Sequence, residues 1–180
     1  MSQRNEWRVF CAVELPAEVR ARLEDHVRRL RKEVPDVAAS WSRVENIHLT
    51  LKFYGNVDVD QIEATSAAID RATKGFAPFE IVVGKTGSFR TQVLWIGVSD
   101  PSGTLTALHE RLGSEDRPYK PHLTIARIRR PESARQLVDA HRQMQFENIP
   151  VRVNEVVLFR SELSPKGSKY TAISNHRLHG

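Results

Sequence analysis

Two copies of one four-residue pattern carry the side chains in this chain that could do chemistry. They are His48-Leu49-Thr50-Leu51 and His122-Leu123-Thr124-Ile125, each inside an apolar run that is typical of a β-strand. Because side chains alternate between the two faces of a strand, each copy places an imidazole and a hydroxyl on one face and two aliphatic groups on the other. Two such strands facing each other would form a cleft suited to acid–base work on a phosphodiester.

Histidine fits this role because its ordinary pKa lies near neutrality. A phosphodiester displacement needs one group that deprotonates the attacking water or hydroxyl and another that protonates the leaving oxygen, and His48 and His122 could supply both. The hydroxyls of Thr50 and Thr124 could donate hydrogen bonds to the non-bridging phosphate oxygens. The alternative for one copy is a half-exposed sheet with its polar residues outward, but a second copy at a matching place favours a site.

The remaining histidines do not indicate a second site. We expect all of them to lie at the surface: His26, His109, His141, His176 and His179. No pair of them has metal-ligand spacing on a helix and there is no Cys-Xaa-Xaa-Cys, so neither a metal nor another cofactor is predicted.

One glycine-rich stretch, Gly84-Lys85-Thr86-Gly87, superficially resembles a phosphate-binding loop. The P-loop pattern needs a glycine five residues before Gly84, and that position is Phe79. We therefore expect a turn between two strands here.

The length of the chain fits one domain or two lobes packed closely together, and we expect a single domain, residues 1–180, made of two lobes. The 180 residues carry a net charge of +5, which favours an anionic partner such as RNA or a nucleotide. We see no apolar run long enough for a membrane span and no signal peptide. The single cysteine, Cys11, lies in an apolar run and is predicted to be a buried core residue, which suggests a cytoplasmic protein. Nothing indicates an oligomer interface, so a monomer is the default.

The elements that must position the two motifs alternate along the chain. The predicted strands are 7–14, 46–54, 79–83, 93–98, 121–128, 151–160 and 170–177, and the predicted helices are 16–32, 59–73, 101–113 and 131–144. The order strand, helix, motif strand, helix, strand occurs twice, which predicts a pseudo-symmetric fold of two lobes.

The flanks of both motifs resemble a known family. Residues 41–55 resemble the first signature of the 2H phosphoesterases, closest to the RNA 2′,3′-cyclic phosphodiesterases, also called 2′-5′ RNA ligases of the LigT/ThpR type. Residues 117–127 resemble the second signature, and residues 8–16 and 156–163 also match the usual pattern. The resemblance covers nearly the whole chain.

This resemblance implies an α+β, bilobal and pseudo-symmetric fold, in which two antiparallel sheets line a central groove and the helices lie outside. It also implies hydrolysis of RNA or nucleoside 2′,3′-cyclic phosphate to the 2′-phosphate without a metal or cofactor. By position, His48 would be the proton donor to the leaving 3′ oxygen and His122 the base that activates water. Thr50 and Thr124 would bind the phosphate. The residues alone treat the two histidines symmetrically.

Three further residues are candidates for substrate contact. Arg127 matches a family position near the substrate, although simple alternation puts it on the face opposite His122, so that only a strand end or a bulge would bring it in. Tyr119 and Phe89 could stack on a base, the alternative being ordinary core packing. The basic residues that could guide an RNA backbone are Arg43, Lys52, Lys120, Arg127 and Arg129.

Two departures from the family bear on substrate preference rather than on the reaction. The segment Gly113–Arg117 is shorter than usual, and Tyr54 stands where the family prefers an aliphatic residue.

Two other functions stay open from the sequence alone. One is the reverse reaction, joining tRNA halves through a 2′-5′ bond; the other is a non-catalytic module that binds RNA or a nucleotide.

Overall fold

A computed structural model describes residues 5–113, 118–130, 134–165 and 167–180. Within these ranges the chain forms four α-helices and nine β-strands, and the strands build two antiparallel sheets. The predicted α+β class is therefore confirmed.

The helices and strands occur in nearly the predicted order. The strands are β1 (Glu6–Val13), β2 (Ala39–Trp41), β3 (Leu49–Asp58), β4 (Phe79–Phe89), β5 (Val93–Ser99), β6 (His122–Ile128), β7 (Ile149–Val153), β8 (Glu155–Ser164) and β9 (Gly167–Arg177). The helices are α1 (Ala17–Glu33), α2 (Ile62–Thr73), α3 (Thr104–Gly113) and α4 (Ala134–Gln143). One-turn 3₁₀ helices, Val44–Asn46 and Val59–Gln61, precede β3 and α2.

Each sheet contains one of the two motif strands. The first sheet has the strand order β3-β1-β8-β9, and the second has the order β2-β6-β5-β4-β7. The first motif strand, β3, forms the edge of its sheet and contacts the second motif strand, β6, across the junction of the sheets. Since the first sheet combines strands from both ends of the chain, the lobes are not consecutive halves of the sequence.

The main core fixes which face of each motif strand is available for chemistry. Leu49, Leu51, Leu123 and Ile125, the aliphatic residues of the two motifs, are at most 2% exposed. The apolar face of α1 packs into the same core. Cys11 is also buried there, as predicted, and forms no disulfide. The histidine and threonine of each motif are half-buried on the opposite faces of their strands, as the alternation predicted.

Several predicted boundaries were wrong for identifiable reasons. The predicted strand 151–160 is two strands, because the chain passes at Asn154 from β7 in one sheet to β8 in the other. Strand β3 runs on past Gly55, and the short strand β2 was missed. Residues 131–133, where the fourth helix was predicted to begin, and residues 114–117 of the short segment lie outside the described residues.

The stretch Gly84-Lys85-Thr86-Gly87 is part of β4 and not a turn. Lys85 has a φ of 66°, and the pairing of β4 with β5 skips from Val83 to Thr86, so the stretch forms a bulge. At Gly87 an added Cβ would lie 2.1 Å from the Trp95 ring, which explains the glycine by close packing rather than by phosphate binding.

The expectation of surface histidines was wrong for four of the five. His26, His109, His141 and His176 are at most 6% exposed, and only His179 is exposed. Each buried ring bonds a partner far away in sequence, which the charged neighbours along the chain could not indicate.

None of the helices in the described ranges is long and apolar enough to cross a membrane.

Candidate active site

The two motif histidines are held by the same backbone hydrogen bond. Nδ1 of His48 donates to the carbonyl of Asn46 at 2.7 Å, and Nδ1 of His122 donates to the carbonyl of Lys120 at 2.6 Å. Because a carbonyl oxygen can only accept, Nδ1 carries the proton in both rings, and Nε2 of each neutral imidazole is left with a free lone pair. Both histidines can therefore exchange a proton through Nε2.

The supports of the two rings are themselves fixed. The side-chain amide of Asn46 donates to the carbonyl of Ser168, at the start of β9, at 2.7 Å. On the other side, Val98 in β5 donates its backbone N–H to the carbonyl of Pro121, directly before His122, at 3.1 Å. Each imidazole is thus oriented by a backbone carbonyl, and a hydrogen bond to a strand, β9 or β5, holds the segment before each histidine in place.

The first half-site, His48 and Thr50, lies on an aromatic face. The His48 ring stacks on Phe10 with 4.6 Å between ring centroids, and Tyr170 meets it edge-on at 5.2 Å. Burial in these surroundings lowers the pKa of His48, the charge of Arg20 lowers it further, and the hydrogen bond to the Asn46 carbonyl opposes both. These surroundings thus favour a neutral imidazole at His48.

The second half-site, His122 and Thr124, has its own aromatic floor. Phe89 meets the His122 ring edge-on at 4.7 Å, and Trp95 packs against Phe89 at 5.4 Å. In the sheet, His122 pairs with Gly97, where an added Cβ would lie 3.0 Å from the carbonyl oxygen of Gly84 and 3.3 Å from the Trp95 ring. The sequence analysis singled out Phe89 but not Phe10, Tyr170 or Trp95. Trp95 could have been noticed, because the alternation along β5 puts it on the face opposite the core.

Both motif strands carry a β-bulge directly after the threonine. In β3 the pairing moves from Thr50 with Ala12 to Lys52 with Cys11, which leaves Leu51 as the extra residue. In β6 the pairing moves from Thr124 with Trp95 to Ala126 with Leu94, which leaves Ile125 as the extra residue. An extra residue reverses the alternation of the strand beyond it.

The bulge in β6 brings Arg127 to the face that carries His122. Arg127 is exposed, whereas Ala126 and Ile128 on either side are buried. Its charge lowers the pKa of His122 after the larger effect of burial, and the bond to the Lys120 carbonyl opposes both. This is the bulge that the family position of Arg127 required.

The bulge in β3 has the same effect on Phe53, which sequence reasoning did not single out. Phe53 is 51% exposed and packs against Phe10 with 5.7 Å between ring centroids. Because Phe10 also stacks on His48, Phe53 lies one ring away from the first half-site.

Tyr119 lies three residues before β6 and contacts the first motif strand, β3. Its hydroxyl donates to the backbone carbonyl of Thr50 at 3.0 Å, and its ring stacks on His109 at 4.0 Å. These contacts favour the packing alternative over stacking on a base.

The predicted basic residues are used in different ways. Nζ of Lys52 donates to the carbonyl of Gly113 at the end of α3, and Nε of Arg129 donates to the hydroxyl of Ser40. Lys120 and Arg127 are exposed. No cluster of three or more His, Cys, Asp or Glu residues in the described part of the chain could hold a metal ion.

Two antiparallel sheets that each present a histidine and a threonine are the architecture of a 2H-type phosphoesterase. The chain belongs to the 2′-5′ RNA ligase superfamily, whose sequence profile matches residues 15–165.

Similar proteins agree with this assignment along nearly the whole chain. The RNA 2′,3′-cyclic phosphodiesterase of Methanothermobacter thermautotrophicus is 33% identical over 95% of this chain and 98% of its own length. That of Thermotoga maritima is 28% identical over 96% of both chains. The crystal structure of Escherichia coli LigT complexed with 3′-AMP superimposes with a TM-score of 0.75 and 25% identity, covering 97% of this chain and 99% of LigT. The predicted family and the bilobal fold are confirmed.

Proposed function

We propose that this chain hydrolyses the 2′,3′-cyclic phosphate of RNA ends or nucleosides to the 2′-phosphate, with His48 and His122 as the acid–base pair. The observation that carries the proposal is the identical Nδ1–carbonyl bond of the two histidines, which makes Nε2 of both rings available for proton transfer. The names of the similar proteins support the substrate class.

In the proposed reaction, Nε2 of neutral His122 takes a proton from water as the water oxygen forms a bond to phosphorus. The bond from phosphorus to the 3′ oxygen breaks, and His48 donates its Nε2 proton to that oxygen. Thr50 and Thr124 donate hydrogen bonds to the non-bridging oxygens, and Arg127 balances their charge. The chemical step then needs no metal or cofactor.

The surroundings bias both histidines towards the neutral form, and the division of roles between them follows the family resemblance. Burial and, to a smaller extent, the charge of Arg127 keep the pKa of His122 low, which suits a base that must be neutral. Burial also lowers the pKa of His48, and Arg20 adds to this effect. An anionic substrate beside His48 raises its pKa again, so the protonated form appears when the phosphate is bound. A bell-shaped dependence of rate on pH follows.

The test is turnover of 2′,3′-cyclic nucleotides in EDTA, with the 2′- and 3′-phosphate products separated by chromatography. We expect a 2′-phosphate product, and a loss of about 10²–10⁴-fold in kcat for His48→Ala and for His122→Ala. His179→Ala, which removes an exposed histidine outside both motifs, is the control and should retain full activity. Normal turnover by either motif variant would refute the acid–base pair.

Ligation is a second candidate that the superfamily description supports. The same two histidines would keep their roles when a 5′-hydroxyl of RNA replaces water: His122 takes the hydroxyl proton as the 5′ oxygen bonds to phosphorus, the bond to the 3′ oxygen breaks, and His48 protonates that oxygen. Hydrolysis dominates because water is abundant. Tight binding of a cyclic nucleotide without turnover of any RNA end would instead indicate a binding module.

We further propose that the chain acts as a monomer in the cytoplasm, which agrees with its single, buried and unpaired cysteine.

A further inference from the structure

We propose that His109 and Tyr119 are positioning residues, which together hold the first half-site, His48 and Thr50, in register with the second. This inference rests on the proposed hydrolysis and adds two residues that neither motif contains. Their contacts with the backbone of β3 carry the argument.

The two side chains bind consecutive carbonyls of the motif strand. Tyr119 donates its hydroxyl proton to the carbonyl of Thr50 at 3.0 Å, and Nδ1 of His109 donates to the carbonyl of Leu51 at 2.7 Å. Successive carbonyls of a regular strand point to opposite sides, but Leu51 is the extra residue of the bulge. At this bulge in an edge strand, the two side chains supply hydrogen bonds to the backbone from outside the sheet, and a buried carbonyl without a partner would be costly.

The two residues form one unit. Their rings stack nearly parallel, with 4.0 Å between centroids and 8° between planes. His109 comes from α3 and is buried, whereas Tyr119 belongs to the segment that leads into β6. We name His109 and Tyr119 the carbonyl bracket.

The carbonyl bracket is also connected to the second half-site through the backbone. Tyr119 directly precedes Lys120, whose carbonyl orients the ring of His122 at 2.6 Å. The same short segment therefore holds the backbone of Thr50 with a side chain and the imidazole of His122 with a carbonyl. A displacement of this segment would change the position of the phosphate-binding threonine relative to the proposed base.

The first test is Tyr119→Phe, which removes the hydroxyl and keeps the ring. We expect kcat for a 2′,3′-cyclic nucleotide to fall about 10-fold while KM changes less than about 3-fold, because the substrate still binds but the two half-sites are misaligned. Tyr54→Phe, the same substitution in β3 outside the carbonyl bracket, is the matched control and should retain the wild-type kcat.

The second test separates alignment from stability at His109. His109→Leu removes the donor, whereas His109→Asn places an amide N–H where Nδ1 stands. We expect His109→Leu to lower kcat like Tyr119→Phe, and His109→Asn to restore it to within about 3-fold of the wild type. His176→Leu removes another buried histidine that donates from Nδ1, to Asp70, and should lower the melting temperature but not kcat.

A double-mutant cycle completes the design. If the carbonyl bracket acts through the first half-site, Tyr119→Phe should cause no further loss in a His48→Ala background. A wild-type kcat for both Tyr119→Phe and His109→Leu, or an additive loss in the double variant, would overturn the positioning role while leaving the proposed hydrolysis intact. An inactive wild-type chain would reject both.

Discussion

Replacing Arg127 by glutamine should weaken substrate binding about 10-fold and leave the folding of the chain unchanged. Arg127 lies on the His122 face of β6 because of the bulge at Ile125, and its side chain is exposed. A hydrogen bond to a charged partner contributes about 1.5–3 kcal/mol, and the exposed position places this bond near the lower end. A loss of about 1.4 kcal/mol corresponds to a tenfold change in affinity, which should appear in KM.

The pH dependence of the same variant tests the contact with His122. Arg127 lowers the pKa of His122, so its removal should raise that pKa. The base must be neutral, and kcat/KM reports the groups of the free enzyme. The acid limb of kcat/KM should therefore move to higher pH, and the variant should lose more activity below neutrality than above it.

The assay is hydrolysis of 2′,3′-cyclic AMP by the wild type, Arg127→Gln and Arg129→Gln across the neutral range. Arg129→Gln removes the same charge two residues away, from a side chain that binds Ser40, and should keep the wild-type KM and acid limb. The reasoning is refuted if Arg127→Gln has the wild-type KM and acid limb, or if both variants behave alike.

Three further predictions concern stability and the substrate base. Burial and the charge of His141 lower the pKa of His26 to about 4. The free energy of unfolding should therefore be highest above pH 6.5 and should fall by up to about 3 kcal/mol as the pH drops towards 4, because the unfolded chain binds the proton more readily. Denaturant titrations that give a constant free energy of unfolding over this range would contradict the prediction. Gly87→Ala should cost about 1–3 kcal/mol, measured as a lower melting temperature, because the new methyl collides with Trp95; an unchanged melting temperature would be inconsistent with the packing. Phe53→Ala should raise KM for cyclic nucleotides by about 5–100-fold if the exposed ring stacks on a base, and an equal KM would exclude that contact.

The sequence predicted the parts of the site that depend on local pattern. Alternation in the two motif strands correctly placed the aliphatic residues of both motifs in the core. The bulges could not be predicted in this way, because a bulge is a property of pairing with another strand. Simple alternation, applied without knowledge of the strand pairing, places Arg127 and Phe53 on the faces opposite the motif histidines.

The buried histidines show the same limit. Nε2 of His141 donates to the carbonyl of Trp95, so its Nδ1 accepts a hydrogen bond from Nε2 of His26, 115 residues earlier in the chain. A pattern read along α1 reports only the charged neighbours of His26. The carbonyl bracket was missed for the same reason, since His109 binds a carbonyl 58 residues away.

The two motifs share their backbone geometry, including the bulge, and differ in the residues that follow it. Both half-sites use the same imidazole support and the same extra residue after threonine, so the backbone treats them alike. They differ five residues after each histidine, where β3 presents an apolar ring, Phe53, and β6 presents a cation, Arg127. The cation near His48 is Arg20, which lies 3.7 Å from Glu14, whereas no acidic side chain in the described part of the chain lies within ion-pair distance of Arg127. Burial and a nearby cation bias both imidazoles towards the neutral form. The proposed roles, His122 as the base and His48 as the acid, therefore follow the family resemblance, and Arg127 and Phe53 are the residues that distinguish the two half-sites.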